Sequence, residues 1–225
     1  MNLHRNISRS KLVRLLSDLT SVEVESSKQD VAERLGLWLD AVGTVRLDAA
    51  LQSIQTFAPQ RPGQGLSANL AAVEAEFQHV RSGLVKTVKA SLPLMPTEPD
   101  GERAAEYAAY YQRHQEQQRQ IESKVAPLRS QVRQVLSRVS TPLRQLAALD
   151  ALMEQMLGAR EQKLMASVPV FLERRFEALR KADQPGWLDT FRKEWQGMLV
   201  AEVDVRLQPV LGLIEALSNE VKKHP

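Results

Sequence analysis

The chain contains no cysteine and no long apolar run. The lack of cysteine excludes disulfides, thiol nucleophiles and cysteine-ligated zinc, and it fits a reducing compartment. No stretch approaches the roughly 18 to 20 consecutive apolar residues of a membrane span, and the start, MNLHRNISRSKLVRLL, lacks the apolar core of a signal peptide. The sequence therefore predicts a cytoplasmic protein without membrane insertion.

Side chains that carry out catalysis or bind metals are equally scarce. The four histidines are far apart, and there is no glycine-rich phosphate loop, His-Glu-x-x-His or Gly-x-Ser-x-Gly pattern. Glu76 and His79 form a single Glu-x-x-His pair, whereas di-iron bundles use that pair twice with two further glutamates. This favours an exposed or capped pair over a metal site. We predict no catalytic residue, no metal, no cofactor and no enzymatic activity.

Strand signals are also missing. Only 5% of the residues are aromatic, and the chain has neither alternating apolar and polar runs nor an Asn-Gly hairpin turn. Alanine, leucine, glutamine, glutamate and arginine, which favour helices, dominate the sequence. We predict an all-α fold, a helical bundle that includes a long antiparallel coiled-coil-like helical hairpin.

Residues 1–57 are predicted to form an N-terminal helical head. The apolar spacing indicates a first helix from Ser10 to Leu19 and a second from Ser27 to Gly43. Thr44 is predicted to cap a third helix. The segment APQRPGQG, residues 58–65, follows as a loop because it is rich in proline and glycine.

Residues 66–140 are predicted to form the long hairpin, with a loop at 93–101. Apolar residues recur at steps of three and four on both arms, as in helices that bury a narrow seam against another helix. On the first arm they are Leu66, Leu70, Val73, Phe77, Val80, Leu84 and Val88. Pro127 lies on the second arm and is predicted to kink it.

Four polar or aromatic side chains occupy seam positions of the second arm and are candidates for partner binding: Tyr107, Tyr111, His114 and Gln118. Polar groups in an apolar seam cost stability and help to fix its register or the number of partners. We expect them to lie at one level against the first arm. The same heptads would pair helices either within one chain or between two copies of the chain, so a homo-oligomer is an open alternative.

Residues 141–225 are predicted to form C-terminal helices that pack on the head or the hairpin. Helix starts are indicated by Ser-Thr-Pro at 140–142 and by Ser167 with Pro169, because serine caps a helix and proline suits its first turn. The segment ADQPG, residues 182–186, is a predicted turn.

Positive charge is concentrated in one stretch of the chain. The formal net charge is +3, and no acidic residue occurs between Glu122 and Asp150. The resulting basic patch consists of Lys124, Arg129, Arg133, Arg138 and Arg144. Such a run on a long helix is most often a solvated flank, although an acidic protein partner or a nucleic acid would also fit it. We expect the charge reversal of Arg129 and Arg133 to glutamate to leave folding intact.

Both ends of the chain resemble a known family. The stretches SKLVRLLSDLTSVEVESSKQDVAERLGLWLDAVGTVRLDAAL (10–51) and LVAEVDVRLQPVLGLIEAL (199–217) are similar to an uncharacterised proteobacterial family, domain of unknown function 3348. Its members are often encoded beside an OmpA-like peptidoglycan-binding protein and a membrane protein similar to MotA or TolQ motor subunits. The resemblance implies a cytoplasmic helical accessory of an envelope or motor-like membrane complex, with that MotA- or TolQ-like protein as a partner. It brings no known catalytic residue.

The sequence thus favours a non-enzymatic helical scaffold or adaptor that mediates protein–protein interaction. The alternative is a nucleic-acid-binding helical protein that uses residues 124–144. The two differ in their salt response, because phosphate binding weakens steeply with salt whereas a hydrophobic helix seam does not.

Overall fold

The computed structural model describes residues 10–20, 41–58, 66–91 and 106–223. Three features predicted from the sequence concern other residues. The helix start at Ser27 and the loop at 93–101 lie outside the described residues, and of the loop at 58–65 only Ala58 lies within them.

All regular secondary structure in the described residues is helical. The helices are α1 Lys11–Thr20, α2 Ala41–Gln55, α3 Leu66–Ala90, α4 Tyr107–Ser137, α5 Thr141–Met165, α6 Val168–Ala182 and α7 Trp187–Lys223. The predicted all-α helical bundle is confirmed. No helix in the described part of the chain has both the length and the apolar character that a membrane crossing requires.

The described residues form two compact units, each assembled from three stretches of chain. The first unit contains the described residues of Met1–Ser26, Val80–Lys124 and Lys163–Arg206. The second contains those of Ser27–His79, Val125–Gln162 and Leu207–Pro225. Helices α3, α4, α5 and α7 each contribute residues to both units. The division into head, hairpin and C-terminal helices stays a prediction.

Several helix ends lie where proline, serine or glycine predicted them. Helix α5 begins directly after Ser140, and Pro169 is the second residue of α6, where no backbone donor is needed. After α6, Asp183 and Gly186 have φ angles of 43° and 77°, in the left-handed region that glycine and aspartate tolerate best. Pro127 is exposed and lies inside α4, which continues past it.

Helix α2 departs from the prediction. It begins at Ala41, so Gly43 and Thr44 lie inside it and do not separate two helices. The prediction that Thr44 caps a helix is therefore wrong. A glycine and a threonine inside a helix each cost at most about 1 kcal/mol relative to alanine, which the packing of a longer helix can outweigh.

Aromatic rings form the core of the first unit where α4, α6 and α7 meet. Tyr110, Phe176 and Phe191 are fully buried. The ring centroids of Tyr110 and Phe191 lie 5.0 Å apart at an interplanar angle of 87°, and those of Phe176 and Phe191 lie 4.9 Å apart at 81°. These edge-to-face contacts add to the stabilisation that burial of the rings provides. Helix α1 contacts α6 within the same unit.

The second unit has an aliphatic core. Its buried apolar residues are Val73, Phe77, Val125, Leu128, Val132, Leu136, Val139, Leu143, Ala147, Leu207, Val210, Leu213, Ile214 and Leu217. Gln145 Nε2 donates to the Ile54 carbonyl at 3.1 Å, and the Arg144 guanidinium lies 4.4 Å from the ring centroid of Phe57. These two contacts fasten the C-terminal end of α2 to α5.

The buried face of α4 differs from the predicted seam near its N-terminus. The buried residues of this helix and the turn after it include Tyr107, Tyr110, His114, Gln117, Ile121, Val125, Leu128, Val132, Leu136 and Val139. Tyr111 is 39% exposed, whereas Tyr110 is fully buried, so the prediction that Tyr111 occupies the seam is wrong. A straight helix drifts by about 20° per heptad against a strict seven-residue repeat. The prediction assumed the strict repeat, so it assigned the seam to Tyr111 instead of its neighbour Tyr110.

Tyr107 provides a test of the aromatic core. Burial raises the pKa of its phenol, and Glu173 and Tyr111 raise it further. The unfolded chain releases this proton first, so the stability from Tyr107 is complete below about pH 10 and is lost as the pH rises further. We expect the unfolding free energy of the wild type to fall more steeply above pH 10 than that of Tyr107→Phe, by up to about 1.4 kcal/mol per pH unit.

Urea unfolding followed by circular dichroism, from about pH 8 to about pH 11.5, measures both slopes. Below about pH 9 Tyr107 keeps its proton in the folded and the unfolded chain, so the two curves should run parallel. A constant separation between them reflects the hydrogen bond to the Pro169 carbonyl, which Tyr107→Phe removes at every pH. Equal slopes above the ordinary tyrosine pKa would contradict the burial of Tyr107.

Candidate functional site

Three polar side chains meet inside the first unit: His114 and Gln118 from α4, and Glu202 from α7. We call them the polar cluster. His114 and Glu202 are both 0% exposed. Nε2 of His114 lies 2.7 Å from Oε1 of Glu202, and Nε2 of Gln118 donates to Oε2 of Glu202 at 2.8 Å. Both carboxylate oxygens of Glu202 therefore have a partner on α4.

The polar cluster also reaches α5. Gln118 Nε2 donates to the carbonyl of Met165, the last residue of α5, at 3.0 Å. Nδ1 of His114 is buried and has no hydrogen-bond partner in the described part of the chain. An imidazole whose only partner is a carboxylate carries its proton on the nitrogen that faces it, so we assign the proton to Nε2, which donates to Glu202.

Other polar contacts of α4 lie beside the cluster. Gln117 Nε2 donates to Ser91 Oγ at 3.0 Å, and Arg113 Nε donates to the Ser91 carbonyl at 3.4 Å. Ser91 directly follows α3. The expectation that the polar seam residues face the first arm of the hairpin is thus wrong for His114 and Gln118, which contact α7 and α5. The antiparallel pairing along the whole predicted hairpin stays a prediction.

The sequence analysis missed Glu202, the residue that holds the polar cluster together. It lies in the run LVAEVDVRL, between Leu199 and Val203 of the apolar stripe of α7. A single carboxylate on an apolar helix face indicates a buried polar partner on another helix. His114 and Gln118 on the seam of α4 are the partners that this signal predicts for Glu202.

Most of the residues proposed for partner binding are engaged within the chain. Tyr107 is buried and donates a hydrogen bond to the Pro169 carbonyl, and His114 and Gln118 belong to the polar cluster. Of the four, Tyr111 alone is exposed. The seam position that the prediction assigned to Tyr111 is wrong, but its side chain is available at the surface.

We group Tyr111 with two other exposed apolar residues, which the sequence analysis did not single out for binding, and call these three residues the exposed apolar patch. Leu164 is 58% exposed and Val170 is 44% exposed. Leu164 precedes Met165, which accepts a hydrogen bond from Gln118, and Val170 follows Pro169, which accepts one from Tyr107. Tyr111 lies between Tyr107 and Gln118 on α4, so the segment of α4 that carries it lies against the turn between α5 and α6.

The basic patch behaves differently from the expected solvated flank. Arg129 and Arg133 contact both Asp150 and Glu154 across α4 and α5, at distances between 2.6 and 3.4 Å. We call these four side chains the ion-pair network. Arg129 is only 9% exposed. Burial would lower the pKa of Arg129, but its hydrogen bond to Asp150 and the surrounding carboxylates raise it above the ordinary value, so this guanidinium stays charged.

The other three residues of the basic patch have different environments. Lys124 and Arg138 are exposed, and Arg144 packs its guanidinium over Phe57. The expectation that Arg129 and Arg133 lie off the packed face of α4 is wrong, because their acidic partners come from the next helix.

The Glu-x-x-His pair lies on α3, with Glu76 half-buried and His79 exposed. Within the residues that the structure describes, no group of three or more histidine, aspartate or glutamate side chains is placed to hold a metal ion.

A family model described as a protein of unknown function, DUF3348, matches residues 2–219. The chain belongs to this family. The match extends over the middle of the chain as well as the two ends that carried the resemblance, so the polar cluster and the exposed apolar patch of this DUF3348 protein both fall within the family region. No curated protein and no solved structure matches the chain.

The polar cluster predicts a large cost for removing its carboxylate. Glu202→Leu leaves His114 Nε2 without its hydrogen-bond partner and removes one of the two acceptors of Gln118. The side chains of His114 and Gln118 both lie in or near the core. We expect the variant to lose about 2–4 kcal/mol of unfolding free energy, measured by urea denaturation. Glu215→Leu, at an exposed position of the same helix, should change it by less than about 0.5 kcal/mol. Similar effects of the two variants would show that Glu202 is not buried as described.

The ion-pair network reverses the expectation for the basic patch. Arg129→Glu with Arg133→Glu would place two further carboxylates beside those of Asp150 and Glu154, so we expect a loss of about 3–5 kcal/mol in unfolding free energy. The control Arg119→Glu with Lys124→Glu has the same charge change at exposed positions of α4 and should cost less than about 1 kcal/mol. A thermal midpoint unchanged by the first pair would contradict the network.

Proposed function

We propose that this DUF3348 protein is a non-enzymatic, cytoplasmic helical scaffold or adaptor that binds a protein partner through the exposed apolar patch. The observation that carries the proposal is the exposure of Tyr111, Leu164 and Val170 around one turn. Neighbouring exposed apolar side chains of this size often mark an interaction surface.

The patch is held in place by contacts of the residues beside it. The hydrogen bonds from Gln118 to Met165 and from Tyr107 to Pro169 fix α4 against the two helix ends that carry Leu164 and Val170. A preorganised surface loses less conformational entropy when it binds. This supports a docking surface for a folded partner.

A shallow, open groove along one face of α6 includes Val170 of the patch and indicates the kind of partner. The groove has a volume of about 570 Å³ and is lined by Val170, Glu173, Arg174, Glu177, Ala178 and Lys181. Its lining combines apolar side chains with charges of both signs along one helix face. The partner that fits it is an amphipathic helix whose apolar face covers the patch and whose flanking charges pair with the groove.

The proposed partner is a subunit of an envelope or motor-like membrane complex, a membrane protein similar to MotA or TolQ. This identity rests on the family resemblance, whereas the docking surface rests on the patch and the groove. Nucleic-acid binding by residues 124–144 has less support, because Arg129 and Arg133 are engaged by Asp150 and Glu154 of the same chain.

A pull-down from the native host with the tagged full chain tests the proposal. The lysate is treated with nuclease and run at low and high salt, and bound proteins are identified by mass spectrometry. We expect the wild type to retain the MotA- or TolQ-like membrane protein at both salt concentrations. Leu164→Glu with Val170→Glu should reduce its recovery at least about tenfold, because two charges would be buried in an apolar contact.

The matched control is Gln131→Glu with Gln134→Glu, which adds the same charge at exposed positions of α4 and should leave recovery unchanged. Capture that survives the Leu164 and Val170 substitutions would reject the patch as the docking surface. Recovery of nucleic acid, lost with nuclease or salt, would favour the alternative function. Light scattering on the purified chain shows whether it is a monomer or an oligomer, and so whether a second copy of the protein occupies the patch.

A further inference from the structure

The end of α5 that carries Leu164 is completed by hydrogen bonds from residues outside the helix. The last four carbonyl groups of an α-helix have no partner within it. The Leu164 carbonyl accepts hydrogen bonds from the backbone N–H and the hydroxyl of Ser167, at 3.1 and 2.6 Å. The Met165 carbonyl accepts one from Gln118 Nε2 at 3.0 Å. Gln118 therefore supplies a donor that α5 itself does not provide.

The same amide group of Gln118 also reaches the interior of the unit. Its Nε2 donates to Glu202 Oε2 at 2.8 Å as well as to the Met165 carbonyl, so both of its N–H groups are used. A carboxylate oxygen and a backbone carbonyl both accept hydrogen bonds, so turning the amide over would place its oxygen against two acceptors. The fully buried Glu202 thereby holds the amide in the one orientation that also serves α5.

Tyr111 of the exposed apolar patch projects from the same side of α4 as two residues that bind the neighbouring helix ends. Tyr107 donates to the first turn of α6, and Gln118 donates to the last residue of α5. At 3.6 residues per turn, these three residues lie within about 40° of one another around α4. The turn between α5 and α6 is thus held by one side chain of α4 at each end, next to Leu164 and Val170.

We infer that Gln118 is a positioning residue for the docking surface: it transmits the fixed position of buried Glu202 to the end of α5 and so controls binding at the exposed apolar patch. This inference rests on the proposed function, because it concerns binding at the same surface. Without the donor, the turn beside the patch would be less ordered in the free protein. Binding would then have to restore that order, which lowers affinity.

Two substitutions of Gln118 separate its hydrogen bonds from its volume. Gln118→Met has a similar length but no donor, so the Met165 carbonyl and the Glu202 carboxylate each lose a partner. Gln118→Lys keeps donors for both acceptors. The control Arg81→Met removes the ion pair with Asp204, which joins α3 to α7 in the same unit, and leaves the contacts of the turn intact. Circular dichroism establishes that each variant is folded.

The order of the turn is measured by electron spin resonance at room temperature, with a label on a cysteine introduced at Ala166. This residue is exposed and lies in the turn, and the chain has no cysteine of its own. We expect the label to reorient at least about twofold faster in Gln118→Met than in the wild type. It should keep the wild-type rate in Gln118→Lys and in Arg81→Met. Equal mobility in the wild type and Gln118→Met would overturn the inference.

Binding is measured by the recovery of the membrane protein that the tagged wild type retains. We expect Gln118→Met to reduce this recovery at least about fivefold. Gln118→Lys should restore most of it, and Arg81→Met should leave it unchanged.

The charged patch variant, Leu164→Glu with Val170→Glu, distinguishes the two ways in which the inference can fail. If this variant loses the membrane protein while Gln118→Met retains it fully, the inference is overturned and the proposed function stands. If the wild type recovers no such protein, or if the charged patch variant retains it, the docking surface is rejected and the inference with it.

Discussion

The first unit depends on the burial of one carboxylate. Glu202 has no access to water, so its two carboxylate oxygens need hydrogen-bond donors inside the protein. The donors are His114 and Gln118 of α4, and Gln118 is in turn held by the end of α5. Once this requirement is met, the aromatic rings of α4 and α7 lie in contact as well, because they belong to the same two helices.

The two units solve the problem of polar groups on α4 in different ways. In the first unit His114 and Gln118 lie in or near the core and form hydrogen bonds with one acid, Glu202. In the second unit the arginines of α4 remain at the edge of an aliphatic core and pair with two acids of α5. The hydrogen bonds of the first unit fix the position of α4 against α7. The ion pairs of the second unit add charge pairing, which salt weakens only in part because the charged groups are half-buried.

The sequence allowed the helical class and several helix ends to be predicted, because these depend on local chemistry. Ser140, Pro169 and the turn at 182–186 act on their immediate neighbours. The seam of α4 was also correct at Tyr107 and His114, which are both buried. It failed at Tyr111, where the true helical period and the idealised heptad differ by one position.

The candidate sites were predicted less well, because their partners are distant in sequence. His114 and Gln118 were recognised as polar seam residues, but their acceptor is on α7, more than 80 residues away. The basic stretch appeared solvated because it contains no acid, whereas Asp150 and Glu154 follow it and return beside it on α5. Exposure of Leu164 and Val170 depends on the tertiary fold, since both lie in segments with ordinary apolar spacing.

The distribution of contacts along α4 has a consequence for how such a chain can change in length during evolution. His114 and Gln118 use one part of the helix, and Arg129 and Arg133 use another. Insertion or loss of one residue between them would turn one pair by about 100° away from its partners. Because each unit is also assembled from three separated stretches, no single crossover could transfer one of them intact. We therefore expect changes in length to occur mainly outside the four helices that contribute to both units.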